Sequence, residues 1–413
     1  MTTGDDIMEQ EASAAQVVRW SELPYDVLAM IRSRVTSPRD RVRFTAVCKP
    51  WHAAASCHPS PPALPLLLLS AWYGQPYGNP AVIKSLYCLE DAKVMRVRPA
   101  RAIWSNWHVG GHDGGWIALW QSDQVEPPNL IVIVNLFSGA EVALSEKQRT
   151  FKCNVCSPHG FFIRKIAFSE APTSSSCILA AMTNTCRVTV CKVGCPDYGW
   201  ITQGCRQRQR EKLEDVAFCN GELYGITCYG EKLFRYDIGL DNDGAPVITA
   251  VHLLVTQSYN SPTRWSIDDE SVVYLILRRC KLVMAVRARV LPPERVTSFN
   301  LFELVNKANG HRWAEMRSLE DHALFLGPKC SMAVHVPVGG HQGVHRNKIY
   351  YSNHRPLKNI ESFSDVVYLT RTDDNDPMYR RQDKRVSDDE IKSIGYYVKV
   401  SPCTPTWLFP PFI

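Results

Sequence analysis

The 413-residue chain has no apolar run long enough to cross a bilayer: its longest aliphatic block, Leu64-Pro65-Leu66-Leu67-Leu68-Leu69, is interrupted by proline and falls far short of the roughly 20 residues a spanning helix needs. It has no Asn-x-Ser/Thr glycosylation acceptor, and residues 1–10 are acidic where a secretory leader needs a basic start and an apolar stretch. The 15 cysteines are odd in number and lack the tight spacing of a small disulfide scaffold, so buried thiols in a reducing compartment, nucleus or cytoplasm, are expected. A large excess of either charge is also lacking. The net +6 is gathered into no long basic tract and gives no argument for nucleic acid. The densest basic run, Arg206-Gln207-Arg208-Gln209-Arg210, sits beside Glu211 and Glu214 and reads as a solvated loop. With 45% hydrophobic and 21% charged residues the chain is a folded protein and not a disordered one.

Catalytic signatures are missing too. There is no Gly-x-Ser-x-Gly elbow and no His-Glu-x-x-His pair. Gly110-Gly111-His112-Asp113-Gly114-Gly115 is followed by neither Lys-Ser/Thr nor a helix, so a phosphate cradle would lack its lysine and its helix dipole, and a loop between strands is expected. Cys153-Asn154-Val155-Cys156 with His159 is half a zinc site without a second half. His335, His341 and His345 cluster near Gly339-Gly340 in what reads as a surface turn. No cofactor, metal or catalytic residue is expected, and the chain reads as a non-enzyme.

What is present begins at residue 19. Leu23-Pro24 opens a helix through residues 25–32, proline's fixed φ suiting a first turn, and Val27, Leu28 and Ile31 share one face. Ser37-Pro38-Arg39-Asp40 starts a second helix with a capping serine and an early carboxylate, and Val42 and residues 44–47 supply its apolar side. Pro50 and Trp51 open a third, through Ala55. Residues 1–18 read as a flexible lead, 19–57 as the helical module and 58–64, carrying His58-Pro59-Ser60-Pro61-Pro62, as a linker.

Residues 65–413 change period. Short β-like runs at 116–120, 130–134, 161–168, 177–182, 188–193, 223–228, 233–237, 272–277, 282–287, 297–304, 348–351 and 395–400 are separated by Gly, Pro, Asn and Asp. The clearest pair is a hairpin, 220–228 with 232–237, and degenerate pairs recur at 272–277 with 282–286 and at 323–326 with 332–335. Such repetition predicts a large all-β domain, a sandwich, barrel or propeller.

Leu23-Pro24, Val27-Leu28, Ile31, Val42, Val47-Cys48 and Trp51 resemble the F-box, the helical module that docks on a Skp-type adaptor and through it a cullin scaffold in SCF ubiquitin ligases; these nine residues are the adaptor contacts that the resemblance implies. The pattern differs at Pro50 and His52. The remainder resembles the C-terminal region of a large plant F-box family with a KIB-type β-propeller. This second likeness rests on Pro65 to Leu69, Gly114-Gly115-Trp116-Ile117-Ala118-Leu119, Val134-Asn135-Leu136-Phe137-Ser138-Gly139, Ile163-Arg164-Lys165-Ile166-Ala167-Phe168, the 220–237 hairpin, Phe299-Asn300-Leu301-Phe302-Glu303-Leu304, Asn347-Lys348-Ile349-Tyr350-Tyr351 and Trp407-Leu408-Phe409-Pro410, in that order.

The resemblance implies a substrate-recognition subunit whose contribution to ubiquitination is proximity, with an unknown target protein and neither nucleic acid nor membrane as partner. A different class stays open: a ligase-independent scaffold that binds a signalling partner, motivated by Pro50 and His52. Trp104, Trp107, Trp200, Arg206 and Trp265 are either partner anchors or packed propeller residues, the latter being the commoner role.

Overall fold

The structure is a computed structural model and describes residues 19–35, 38–57, 64–69, 84–90, 92–97, 106–121, 130–151, 163–183, 188–202, 213–227, 232–256, 273–288, 298–307, 310–336, 343–352, 366–368, 378–382, 391–398 and 405–410. They fall into two compact units, one within residues 1–63 and one within 64–411.

In the first unit a 3-10 turn at Trp20–Glu22 precedes α1 (Tyr25–Arg34), α2 (Pro38–Thr45) and α3 (Lys49–Cys57). Pro24, at φ −57°, is the residue from which α1 departs. One small core forms where the helical periodicities meet: Leu28, Phe44, Trp51, Ala54 and Ala55 are buried, with Leu23, Ile31, Val35 and Cys48 packed against them. The Phe44 and Trp51 rings lie 4.6 Å apart. The Trp51 indole N–H donates to the Trp20 carbonyl at 2.9 Å, tying the opening turn to the third helix. Arg32 is buried, with its guanidinium over the Phe44 ring.

One helix boundary corrects the sequence reading. α2 stops at Thr45, with Ala46 and Val47 donating back three residues to Arg43 and Phe44. Val47 therefore lies past the helix and is 53% exposed, instead of completing its apolar side. The capping role read for Ser37 and the linker 58–63 lie outside the described residues.

The second unit is built from strands. In chain order, β1 (Leu66–Leu69), β2 (Lys84–Cys88) and β3 (Lys93–Val97) form the first sheet, and β4 (Asn106–His112), β5 (Trp116–Gln121) and β6 (Ile131–Asn135) the second. After the short helix α4 (Glu146–Arg149), β7 (Ile163–Phe168), β8 (Ile178–Thr183), β9 (Val188–Lys192) and β10 (Ile201–Thr202) make the third. β11 (Leu213–Cys219), β12 (Glu222–Thr227), β13 (Lys232–Leu240) and β14 (Pro246–Thr256) make the fourth. β15 (Val273–Arg278), β16 (Lys281–Ala288), β17 (Ser298–Lys307) and β18 (Gly310–Met316) make the fifth. The sixth holds β19 (His322–Leu326), β20 (Met332–His335), β21 (Lys348–Ser352), β22 (Val366–Tyr368), β23 (Met378–Gln382) and β24 (Lys392–Val398), with β21 parallel to both β19 and β24. β25 (Thr406–Leu408) returns to pair with β1 in the first sheet.

Each sheet buries both faces, one against each neighbour. Leu66 and Leu68 of β1 point into the core shared with the second sheet, whereas Leu67 points into the core shared with the sixth. That is why this strand reads as an unbroken leucine run and not as an alternation. The same division repeats on β7, where Ile166 and Phe168 face the second sheet and Ala167 the fourth. Further cores join the fourth sheet to the fifth and the fifth to the sixth, so the six described sheets close on one another in a ring. This is a β-propeller preceded by a few short helices, as the sequence predicts.

Two of the family-like motifs prove to be one structural unit. The Asn135 side chain accepts from the Phe137 and Ser138 amides at 3.0 Å and donates to the Gly114 carbonyl at 2.8 Å. Gly115, at φ +86°, sits where a Cβ would run into the Phe137 ring. The Asn135 turn and the Gly114-Gly115 turn therefore lock each other.

Candidate functional site

The nine residues read as adaptor contacts divide by burial. Leu28 and Trp51 are buried in the helical core, Leu23, Val27, Ile31 and Cys48 are half-buried, and Pro24 and Val47 are exposed; Val42 lies on α2. Exposed large apolar side chains gather in this short unit: Trp20 at 69%, Val47 at 53%, Met30 at 47% and Tyr25 at 46%. Trp20, Tyr25 and Met30 escape the sequence reading because a helical pattern registers repeated apolar residues without telling which of them a three-helix core leaves outside.

A second arrangement, absent from the sequence reading, lies in the propeller. Neighbouring sheets approach through β4, β7, β11 and β15, the first strands of the second to fifth sheets, which mark the inner edge of the ring. Three of these strands carry a register shift: between His108 and Gly110 on β4, Ile163 and Lys165 on β7, and Leu213 and Asp215 on β11. A bulge re-aims the side chains that follow it. Here it brings Lys165 and Asp215 together, Nζ to Oδ1 at 2.5 Å, with the two side chains only 7% and 5% exposed. Asp215 Oδ1 also accepts from its neighbour Val216, and Oδ2 accepts from the Leu275 amide on β15 at 2.8 Å. Arg164 donates to the Leu213 carbonyl at 2.5 Å and reaches Glu214 at 3.5 Å. Chemically this is a buried charge network spanning the third, fourth and fifth sheets.

The turn between β19 and β20 completes it from across the ring. The Lys329 ammonium donates to the Arg164 carbonyl, and the Cys330 thiol donates to the Gly111 carbonyl at 3.4 Å. Loss of solvation, with Arg164 and Lys165 nearby, pushes the Lys329 ammonium down to about 8. Burial pushes the Cys330 thiol up to about 12, which leaves it a hydrogen-bond donor and not a nucleophile. The glycine run expected to be a loop is in part β4 itself. A Cβ on Gly110 would land on the Ile166 carbonyl oxygen, so glycine there lets two inner strands touch. Gly110→Ala is expected to lower the denaturation midpoint of the propeller, by about 1–3 kcal/mol in stability, and a neutral result in urea titration would refute this close approach.

The sequence carried a signal for the network. Ile163-Arg164-Lys165-Ile166-Ala167-Phe168 and Leu213-Glu214-Asp215-Val216-Ala217-Phe218 share one frame, two charges after an apolar residue and before apolar-Ala-Phe, and the charges are of opposite sign. Pairing two copies of that frame places base against acid.

Other candidates resolve individually. His335 pairs with Asp321 at 3.3 Å and packs edge-on to His322, while the His345 amide donates to the Tyr350 hydroxyl, so these two histidines serve separate contacts. Burial raises the Asp321 carboxyl, but hydrogen bonds from Arg279 and His322 outweigh that and hold it at about 2. Trp200 is a packed residue whose indole donates to the Gln148 carbonyl at 2.7 Å. Cys153, Cys156, His159, His341, Trp104, Arg206 and Trp265 lie outside the described residues. Among the described residues no group of His, Cys, Asp or Glu is arranged to hold a metal, and no helix is long and apolar enough to cross a membrane.

The short helical module matches the F-box-like family model over residues 20–60, and an F-box-like domain followed by a β-propeller is the layout of a substrate-recognition adaptor. Residues 86–382 match the model described as the KIB1-4 beta-propeller, and the chain belongs to that family. No curated protein matches it. Among solved structures, a protein from Lactobacillus plantarum is 9% identical with a TM-score of 0.35, covering 81% of this chain and 99% of its own. The dihydro-heme d1 dehydrogenase NirN is 10% identical with a TM-score of 0.29, covering 78% of this chain and 51% of its own.

Proposed function

We propose that the chain is the substrate-recognition subunit of an SCF-type ubiquitin ligase. Its F-box helices dock on a Skp-type adaptor, and through it on a cullin scaffold, while the propeller holds a target protein for ubiquitination. The observation that carries this reading is the group of exposed apolar side chains on a three-helix unit whose own core is already filled by Leu28, Phe44, Trp51, Ala54 and Ala55. Pro24, Val27 and Val47, joined by Trp20, Tyr25 and Met30, make the direct contacts in this proposal. Leu28 and Trp51 act by holding the helices in place. Catalysis by proximity asks for no bond-making residue in this chain.

The test is recovery of a purified Skp-type adaptor by the full chain. The double substitution Leu23→Ala with Pro24→Ala is expected to reduce recovery at least tenfold while the helical circular dichroism stays in place. Unchanged recovery would sink the proposed interface. Pro50 and His52, both exposed on the first turn of α3, favour a second reading as a ligase-independent scaffold. Target levels that stay steady on proteasome inhibition would support that reading, and accumulation would oppose it.

A further inference from the structure

Among the described residues, two of the three cations of the inner network are paired with a carboxylate. Arg164 has Glu214 at 3.5 Å and Lys165 has Asp215 at 2.5 Å. Among the described residues no carboxylate stands within ion-pair distance of Lys329, whose ammonium donates to the Arg164 carbonyl. An ammonium carries three donors, so two remain beyond that bond. The residue is half-buried. It comes from the β19–β20 turn of the sixth sheet and meets β7 of the third, with two sheets between them in either direction around the ring.

We propose that Lys329 anchors a binding site for a small free oxyanion of the phosphate or sulfate class at the centre of the propeller, with Arg164 and Lys165 supplying the remaining positive field. An ammonium held among low-dielectric walls without a carboxylate beside it gains from an opposite charge, and an anion that reaches Lys329 pairs with it without disturbing the two existing pairs. A cation is repelled there, and a neutral ligand brings no opposite charge. The depth of Lys329 between opposite strands selects an ion over a macromolecule. An ion so placed fastens the β19–β20 turn to the third sheet and stabilises the ring by mass action. This site is independent of adaptor docking and stands or falls without it.

Isothermal titration of the full chain with sulfate, whose charge is fixed between pH 6.5 and 9.5, tests it. One saturable site is expected, with affinity falling about thirtyfold across that range as Lys329 loses its proton near 8. Lys329→Met is expected to weaken binding at least tenfold at pH 6.5 and to abolish the pH dependence, while Lys192→Met on β9 leaves both intact. A phosphoserine peptide is expected not to displace the sulfate; displacement would overturn the assignment to a free ion. Absence of saturable binding, or a sulfate affinity unchanged in Lys329→Met, would overturn the site itself, and the first is read on the unmutated chain should Lys329→Met fail to fold.

Discussion

Asp215→Ala is expected to lower the stability of the propeller by about 3–5 kcal/mol. The carboxylate of Asp215 collects three donors: Lys165 from the third sheet, Val216 from its own strand and Leu275 from the fifth. Removing it leaves a buried ammonium without its counter-ion and two amides without their acceptor, and each orphaned group costs its full desolvation. The pair itself is not the source of that figure. Two charges withdrawn from water recover roughly what they lose, so the double substitution Lys165→Met with Asp215→Leu is expected to regain the part of the loss that comes from the orphaned ammonium and to keep the part that comes from the two unpaired amides, lying between Asp215→Ala and the unmutated protein. Urea titration followed by tryptophan fluorescence measures all three midpoints. A loss below about 1 kcal/mol for Asp215→Ala would mean that water reaches Lys165, against the burial of the Lys165–Asp215 pair.

The network also marks the limit of what could be read in advance. The helical module was legible because Leu23-Pro24, Leu28 and Trp51 combine a backbone constraint with a helical period, both of which are local properties. The propeller was legible as a class from its short strands, and hairpins such as β15 with β16 pair as the alternation implies. Neither β4 nor β11 is among the strands expected. β4 carries Gly110 and Gly111, which ordinarily break strands, and β11 opens on Leu213-Glu214-Asp215, which reads as solvated. Their strand state is imposed from outside: glycine lets β4 approach Ile166, and the charges of β11 are answered by Arg164 and Lys165. Val47 failed for the opposite reason. Its apolar side chain suited a helix face, but α2 had already tightened and ended at Thr45. Contacts made across long separations decide the two strands, and no periodicity records them.

A second large loss is expected at the closure of the ring. Trp407 is fully buried, its indole donates to the Leu326 carbonyl at 2.9 Å, and its rings meet Phe325 at 5.0 Å and Tyr396 at 5.5 Å edge-on. It sits on β25, which pairs with β1 in the register Leu66 to Leu408, Leu67 to Trp407 and Leu68 to Thr406. The first sheet thus takes in both β1 and β25, the first and last described strands of the propeller, and Trp407 is the largest buried side chain of β25. Trp407→Ala removes the ring contacts, leaves a cavity between the first and sixth sheets and orphans the Leu326 carbonyl, for an expected loss of about 3–5 kcal/mol. Trp407→Phe keeps most of the packing and loses only the donor, so about 1–2 kcal/mol is expected there. Hydrogen exchange separates closure from general weakening. If β25 is the latch, the amides of β1 and β25 exchange early in Trp407→Ala while those of β11 and β12 in the fourth sheet keep their protection. Uniform acceleration across all sheets would show instead that the ring opens as one cooperative body, with Trp407 as an ordinary core residue and no latch.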